Sequence, residues 1–166
     1  FKVSSNTNST VKLTWNKVSN ADGYIVYKYD NAKKKWLRVI KTKNNSNTYT
    51  VSKLKAGTTY KFAVKAYKTV DKREITSQKY PQLITSTNPA NITKSNFKSS
   101  ANTVKMSWSK VNGATGYRVY KYNTSTKKWQ TVANTKNASY TFKNLKAGTT
   151  CKFTVRAYKT LDKKTY

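Results

Sequence analysis

Chemistry in this chain would have to come from few groups. Histidine is absent, the acids are Asp22, Asp30, Asp71, Glu74 and Asp162, and the sole thiol is Cys151. All five acids fall in predicted turns or loops, and only Asp71 and Glu74 lie close together. Two carboxylates flanking a cleft are what glycoside hydrolysis needs. These two sit in Asp71-Lys-Arg-Glu74, where local ion pairing accounts for them, and the second half of the chain has Asp162-Lys-Lys-Thr165 instead. Cys151 has no histidine to serve as its base and no second ligand with which to share a metal, so it reads as a buried structural thiol. No glycine-rich phosphate loop, Cys/His metal spacing or Ser-His-Asp set occurs. The inventory therefore predicts no catalysis, no cofactor and no metal. What remains is aromatic and cationic. Tyr27, Tyr29, Trp36 and Tyr67 are expected on outward sheet faces, and Tyr120, Tyr122, Trp129 and Tyr158 repeat the arrangement. Flat rings stack on sugars, and nearby lysines hold sulfate, phosphate or carboxylate groups. The same rings also stabilise a wet sheet face by cross-strand pairing alone.

The charge balance is extreme, with 34 Lys and Arg against 5 Asp and Glu, for a net +29. Such a surface attracts polyanions. Only Arg38, Arg73, Arg118 and Arg156 offer the planar fork that reads phosphates or guanine edges bidentately, so specific nucleic-acid readout is not expected. The lysines are spread along strands and turns, as Lys17, Lys28, Lys53, Lys55, Lys61 and Lys65 are, which is the pattern of a solvated face. No apolar run approaches the roughly 20 residues of a membrane span, and no membrane insertion is expected.

The elements that must position these residues come in two copies. Leu54-Lys-Ala-Gly-Thr-Thr-Tyr-Lys-Phe-Ala-Val-Lys-Ala-Tyr67 returns as Leu145-Lys-Ala-Gly-Thr-Thr-Cys-Lys-Phe-Thr-Val-Arg-Ala-Tyr158. Trp15 and Trp108 stand 93 residues apart (108 − 15), as do Tyr24 and Tyr117, Tyr27 and Tyr120, and Trp36 and Trp129. From Tyr49 and Tyr140 onward the offset is 91 (140 − 49), so one two-residue deletion separates the copies, within the stretch Leu37 to Thr48. A period of this length means tandem domains.

Within each copy the apolar residues alternate with a period of two. Val11, Leu13 and Trp15 form one inward face, and Tyr60, Phe62, Val64 and Ala66 another. Tyr24 and Val26 are expected inward. Ile25 aligns with Arg118, so its side is expected to be wet, with Tyr27 and Tyr29 on it. No segment has the 3.6-residue apolar period of a helix, so the chain reads as all-β.

Trp15, the Tyr24-x-Val26 strand and Leu54-x-x-Gly-Thr-x-Tyr60-x-Phe-x-Val-x-Ala66 together resemble a fibronectin type III domain, as found in secreted bacterial carbohydrate-active enzymes and surface proteins. The resemblance covers nearly the whole chain. It implies two immunoglobulin-like antiparallel β-sandwiches in tandem, residues 1–85 and 86–166, with Trp15 and Trp108 in the cores. It also implies a tyrosine corner at Tyr60, its hydroxyl bonded to backbone a few residues upstream. Cys151 stands where the second corner tyrosine belongs, which predicts a less stable second domain, by roughly 2–5 kcal/mol. By the repeat, the first domain lacks the start of its first strand and the second lacks its last strand. Either the sequence is a fragment of a longer array, or another chain fills the open edge; otherwise a monomer is expected. Thr85-Ser-Thr-Asn-Pro89-Ala-Asn reads as a short linker giving a semi-rigid, extended pair.

Two functions follow as expectations. One is a non-catalytic spacer of a larger secreted or cell-surface bacterial protein, its partners being neighbouring domains of the same parent chain. The alternative is a binding module for polysaccharide or an anionic cell-wall polymer, contacting it through lysines and Tyr27, Trp36, Tyr67, Tyr120, Trp129 and Tyr158.

Overall fold

The computed structural model describes residues 1–43 and 46–166. Asn44 and Asn45, inside the stretch where the first copy is two residues longer, lie outside the described residues. The chain divides into two compact units, Phe1–Asn88 and Pro89–Tyr166. Among the described residues it is all-β, with antiparallel pairing throughout and no helix.

Unit 1 contains β1 (Lys2–Asn6), β2 (Val11–Thr14), β3 (Gly23–Asp30), β4 (Lys35–Lys41), β5 (Thr48–Val51), β6 (Thr59–Val70), β7 (Arg73–Thr76) and β8 (Gln82–Ser86). One sheet runs β1-β2-β5. The other runs β4-β3-β6-β7, with β8 pairing the first half of β6. The inward faces meet in a core of Val11, Leu13, Trp15, Tyr24, Val26, Val51, Leu54, Phe62 and Val64. Alternation of apolar and polar residues places these side chains on one face of each strand, and their burial joins the two sheets.

Unit 2 contains β9 (Ser95–Ser100), β10 (Thr103–Trp108), β11 (Gly116–Asn123), β12 (Lys128–Thr135), β13 (Ser139–Phe142), β14 (Phe153–Tyr158), β15 (Thr160–Leu161) and β16 (Lys164–Thr165). Its sheets run β13-β10-β9 and β12-β11-β14, with β15-β16 a separate ribbon. Met106, Trp108, Val111, Tyr117, Val119, Phe142 and Val155 form the core.

The structure corrects several readings. The units divide after Asn88, because the stretch read as linker bonds back into unit 1. The N–H of Thr87 donates to Thr58 O, that of Asn88 to Thr7 O, and that of Gly57 to Asn88 O. Thr85, Ser86 and Thr87 are all buried. Ile25 lies on the outer side with Tyr27 but is only 1% exposed. It occupies the central strand, flanked by its cross-strand partners Lys41 and Lys65, and long aliphatic stems of this kind shield an apolar neighbour from water. Asp71-Lys-Arg-Glu74 is a tight hairpin entering β7, and Glu74 pairs with Lys41 on β4, not with a neighbour in sequence.

Candidate functional site

The aromatic candidates project from the outer face of the sheet built on β3 and β6, and from its copy on β11 and β14. Antiparallel register sets them in rows across the strands. In unit 1 Tyr29 pairs with Trp36 across β3 and β4. Their rings meet edge to face at 5.3 Å, and Lys61 from β6 sits 5.6 Å from the Tyr29 ring and 5.4 Å from Trp36. The next row holds Arg38, Tyr27 and Ala63, and the one after it Lys41, Ile25 and Lys65. A bulge between Val26 and Tyr27 keeps the register of β4 in step with these outward positions.

Unit 2 repeats the first row. Tyr122 and Trp129 meet at 5.2 Å, with Lys152 5.6 Å from the Tyr122 ring. Trp129 is 46% exposed. Aromatic pairs of this geometry stabilise by about 0.5–1.5 kcal/mol beyond the area they bury, and an exposed cation over a ring adds about 0.5–1 kcal/mol. Trp36, Tyr27 and Tyr120 are half-buried on the same outer face.

Tyr67 is a correction. It was expected as an exposed contact, yet it is 6% exposed, and its hydroxyl donates to Thr42 O at 2.9 Å. The ring lies over Gly23, its partner across β3 and β6, where the absence of a side chain leaves space that the tyrosine fills. Tyr158 lies over Gly116 in the same way and is half-buried. Both rings are held by packing, and neither joins the Trp-Tyr-Lys row.

The residues assigned to structure fall as follows. Trp15 and Trp108 are buried, each edge-on to a tyrosine, Tyr24 or Tyr117, at 5.3 Å. The Tyr60 hydroxyl accepts from the Lys55 N–H at 2.8 Å. Two further corners were not read from the sequence: the Tyr24 hydroxyl accepts from Val18 N–H at 2.7 Å, and that of Tyr117 from Val111 N–H at 2.8 Å. The signal available was the recurrence of an inward tyrosine directly after Gly23 and Gly116. Cys151 corrects the expectation of a buried thiol. It is half-buried and lines an open groove of about 420 Å³ with Phe97, Val104, Leu145 and Phe153.

Electrostatically the face is almost uniformly cationic. Among the described residues its ion pair is Lys41–Glu74, and the hydrogen bond to Glu74 holds the Lys41 ammonium above its ordinary range. The Asp30 carboxylate is held below the ordinary range chiefly by the Lys33 N–H, and also by that of Ala32, which it accepts in the β3–β4 turn. No three His, Cys, Asp or Glu side chains converge on a metal position among the described residues. Among the described residues no helix is long and apolar enough to cross a membrane.

Comparison with solved structures found a two-domain fibronectin type III segment from chicken tenascin. It is 20% identical, with a TM-score of 0.50, over 95% of this chain and 87% of that one. Segments of chicken CNTN1 (FN1–FN3 domains; 23% identity, TM-score 0.46) and of RIM-binding protein (central fibronectin-III array; 17%, 0.41) were also found. They match over 93% and 94% of this chain and 58% and 55% of theirs. Curated protein sequences gave no match. The fibronectin type III domain model matches residues 1–79 and again 87–165. With both matches lying on the two sandwiches described above, the chain belongs to the fibronectin type III family, as two domains in tandem.

Proposed function

We propose that this pair of domains is a non-catalytic spacer that holds other modules of a larger secreted or cell-surface bacterial protein apart. Fibronectin type III domains are commonly structural or linker modules of larger proteins. The observation that carries the reading is the duplicated use of polar aromatics for internal support. Tyr24 and Tyr117 bond backbone at equivalent positions, and Tyr67 and Tyr158 fill the space over equivalent glycines. Of the ligand candidates, Tyr67 and its copy Tyr158 hold shape instead. The bacterial, extracellular setting rests on the sequence resemblance alone.

A pull-down with insoluble neutral glycans and cell walls, at low and high salt, tests this reading. A spacer carrying +29 is released from all of them at high salt, because screening removes attraction between exposed charges. Retention on one glycan at high salt overturns it. The Trp129–Tyr122–Lys152 row favours a second reading, a binding module for polysaccharide or anionic wall polymer. That reading expects salt-resistant retention which Trp129→Ala abolishes.

A further inference from the structure

We propose that unit 2 carries a clamp for the phosphomonoester of a phosphorylated sugar, formed by Arg118 and Arg156 on its outer face. The two arginines are direct partners across β11 and β14. Partners in register share a face, so two permanent positive charges stand side by side, an arrangement that destabilises a sheet unless an anion joins it. The same row in unit 1 is neutralised from within: Ile25 separates Lys41 from Lys65, and Glu74 pairs with Lys41. By the repeat, Asn134 replaces Lys41, Arg118 replaces Ile25, Arg156 replaces Lys65 and Thr165 replaces Glu74. The internal carboxylate is gone while the guanidinium pair is gained. Asp162, the remaining acid of unit 2, lies in the turn between β15 and β16 and makes no ion pair among the described residues. Among the described residues neither Arg118 nor Arg156 makes an ion pair.

The surroundings orient the pair. Asn134 Oδ1 accepts from Arg118 Nε at 3.2 Å, which fixes the guanidinium plane and leaves its outer nitrogens free. The Tyr158 ring lies 5.9 Å from the Arg118 guanidinium, and the Tyr120 ring 6.0 Å from that of Arg156. Arginine forks match phosphate oxygens bidentately. A phosphomonoester carries about −1.5 to −2 charge near neutral pH, enough to balance both guanidinium groups, whereas a carboxylate, phosphodiester or sulfate ester brings one charge. Tyr120 on one side of the pair, and beyond it the exposed Trp129, offer flat faces for the attached sugar rings. This site goes beyond the spacer reading and does not depend on it.

The test is an NMR titration of the whole two-domain chain with glucose 6-phosphate at low ionic strength, following the arginine Nε–H signals. Arg118 and Arg156 should shift together and saturate, while glucose leaves them unmoved and glucose 6-sulfate binds more weakly. Lowering the pH from about 7.5 to about 5 should weaken binding several-fold, since the phosphate takes up its second proton near pH 6 and arginine does not titrate. The double variant Arg118→Ile, Arg156→Lys copies Ile25 and Lys65 of unit 1, so its fold has a precedent in the same chain. It should lose at least about tenfold in affinity, with a ligand-free melting temperature no lower than that of the wild type. Equal affinity for the sulfate ester, an unchanged affinity in the double variant, or no saturable shift overturns the clamp. Tighter binding of a phosphoserine peptide than of the sugar phosphate overturns the sugar assignment. High-salt retention on neutral glycans plays no part in this assay, so the clamp and the spacer reading fail separately.

Discussion

A glycine at the start of β3 and its copy at the start of β11 do similar work under different constraints. A Cβ at Gly23 would stand 2.3 Å from the Thr42 carbonyl oxygen and 2.9 Å from the Tyr67 ring. At Gly116 the nearest atom would be the Tyr158 hydroxyl at 2.6 Å, with the Thr135 carbonyl at 3.1 Å. Backbone cannot yield as a side-chain tip can, so Gly23→Ala is expected to cost about 1–3 kcal/mol and Gly116→Ala distinctly less. Denaturant titration of each variant gives the ranking, and equal losses would refute it. Tyr60 and Cys151 form a second natural pair. Tyr60→Phe removes one hydrogen bond to Lys55 N–H and should cost about 0.5–1.5 kcal/mol. Cys151→Tyr restores the group in unit 2. Because Cys151 lines an open groove and is not enclosed, the expected gain is about 1–2 kcal/mol, below the large-to-small scale read from sequence. Calorimetry that finds the second unit melting no higher removes the argument. At this scale the sequence was legible where alternation decides the matter, as for Tyr24 and Val26. It failed at Tyr67, because a period of two assigns a face but cannot say that a ring on that face folds back over a glycine.

Strands were legible and tight connections were not. The β6–β7 hairpin turns on Asp71 and Lys72, with φ of 47° and 63°, and the β15–β16 ribbon on Asp162 and Lys163, with 46° and 64°. Both residues of such a turn are left-handed, the geometry that Asn-Gly and Asp-Gly favour. Asp-Lys carries no glycine and so gives no hairpin signal, and the sequence reading leaves Asp71-Lys-Arg-Glu74 as a loop where a strand begins at Arg73. The same geometry yields a prediction. Lys72→Gly removes the Cβ penalty of a left-handed lysine and should stabilise unit 1 by about 0.5–1 kcal/mol, with Lys163→Gly acting alike in unit 2. A lower urea midpoint for Lys72→Gly would show that the lysine side chain contributes more than its backbone strain costs. β8 gives the complementary case. Its apolar content is modest, yet Ser86, and Thr87 just after it, are buried because their hydroxyls and the Thr87 amide bond to Thr58 and Lys55. Hydrophobic patterning cannot find an element held chiefly by polar groups.

Taken whole, the molecule carries a charge that its fold does little to neutralise. Against 34 cations stand 5 acids, and the ion pair among the described residues is Lys41–Glu74. Many cations instead rest against aromatic faces, among them Lys41 at 4.1 Å from Tyr67, Lys65 at 4.5 Å from Tyr80 and Lys61 between Tyr29 and Trp36. Stacking orients these charges without cancelling them, so repulsion among like charges opposes the compact state. Unfolding relieves that repulsion by letting the charges spread. Salt should therefore stabilise the native protein: between 10 mM and 150 mM the screening length falls from about 30 Å to about 8 Å, which weakens long-range repulsion more than short cation–ring contacts. The melting temperature is expected to rise over that range, and phosphate should raise it further than chloride at equal ionic strength if the arginine pair of unit 2 takes up the anion. Chloride and phosphate acting equally on the wild type would place the effect in general screening, and phosphate retaining its advantage in the Arg118→Ile, Arg156→Lys variant would place it in non-local anion effects; either removes this support for a localised site.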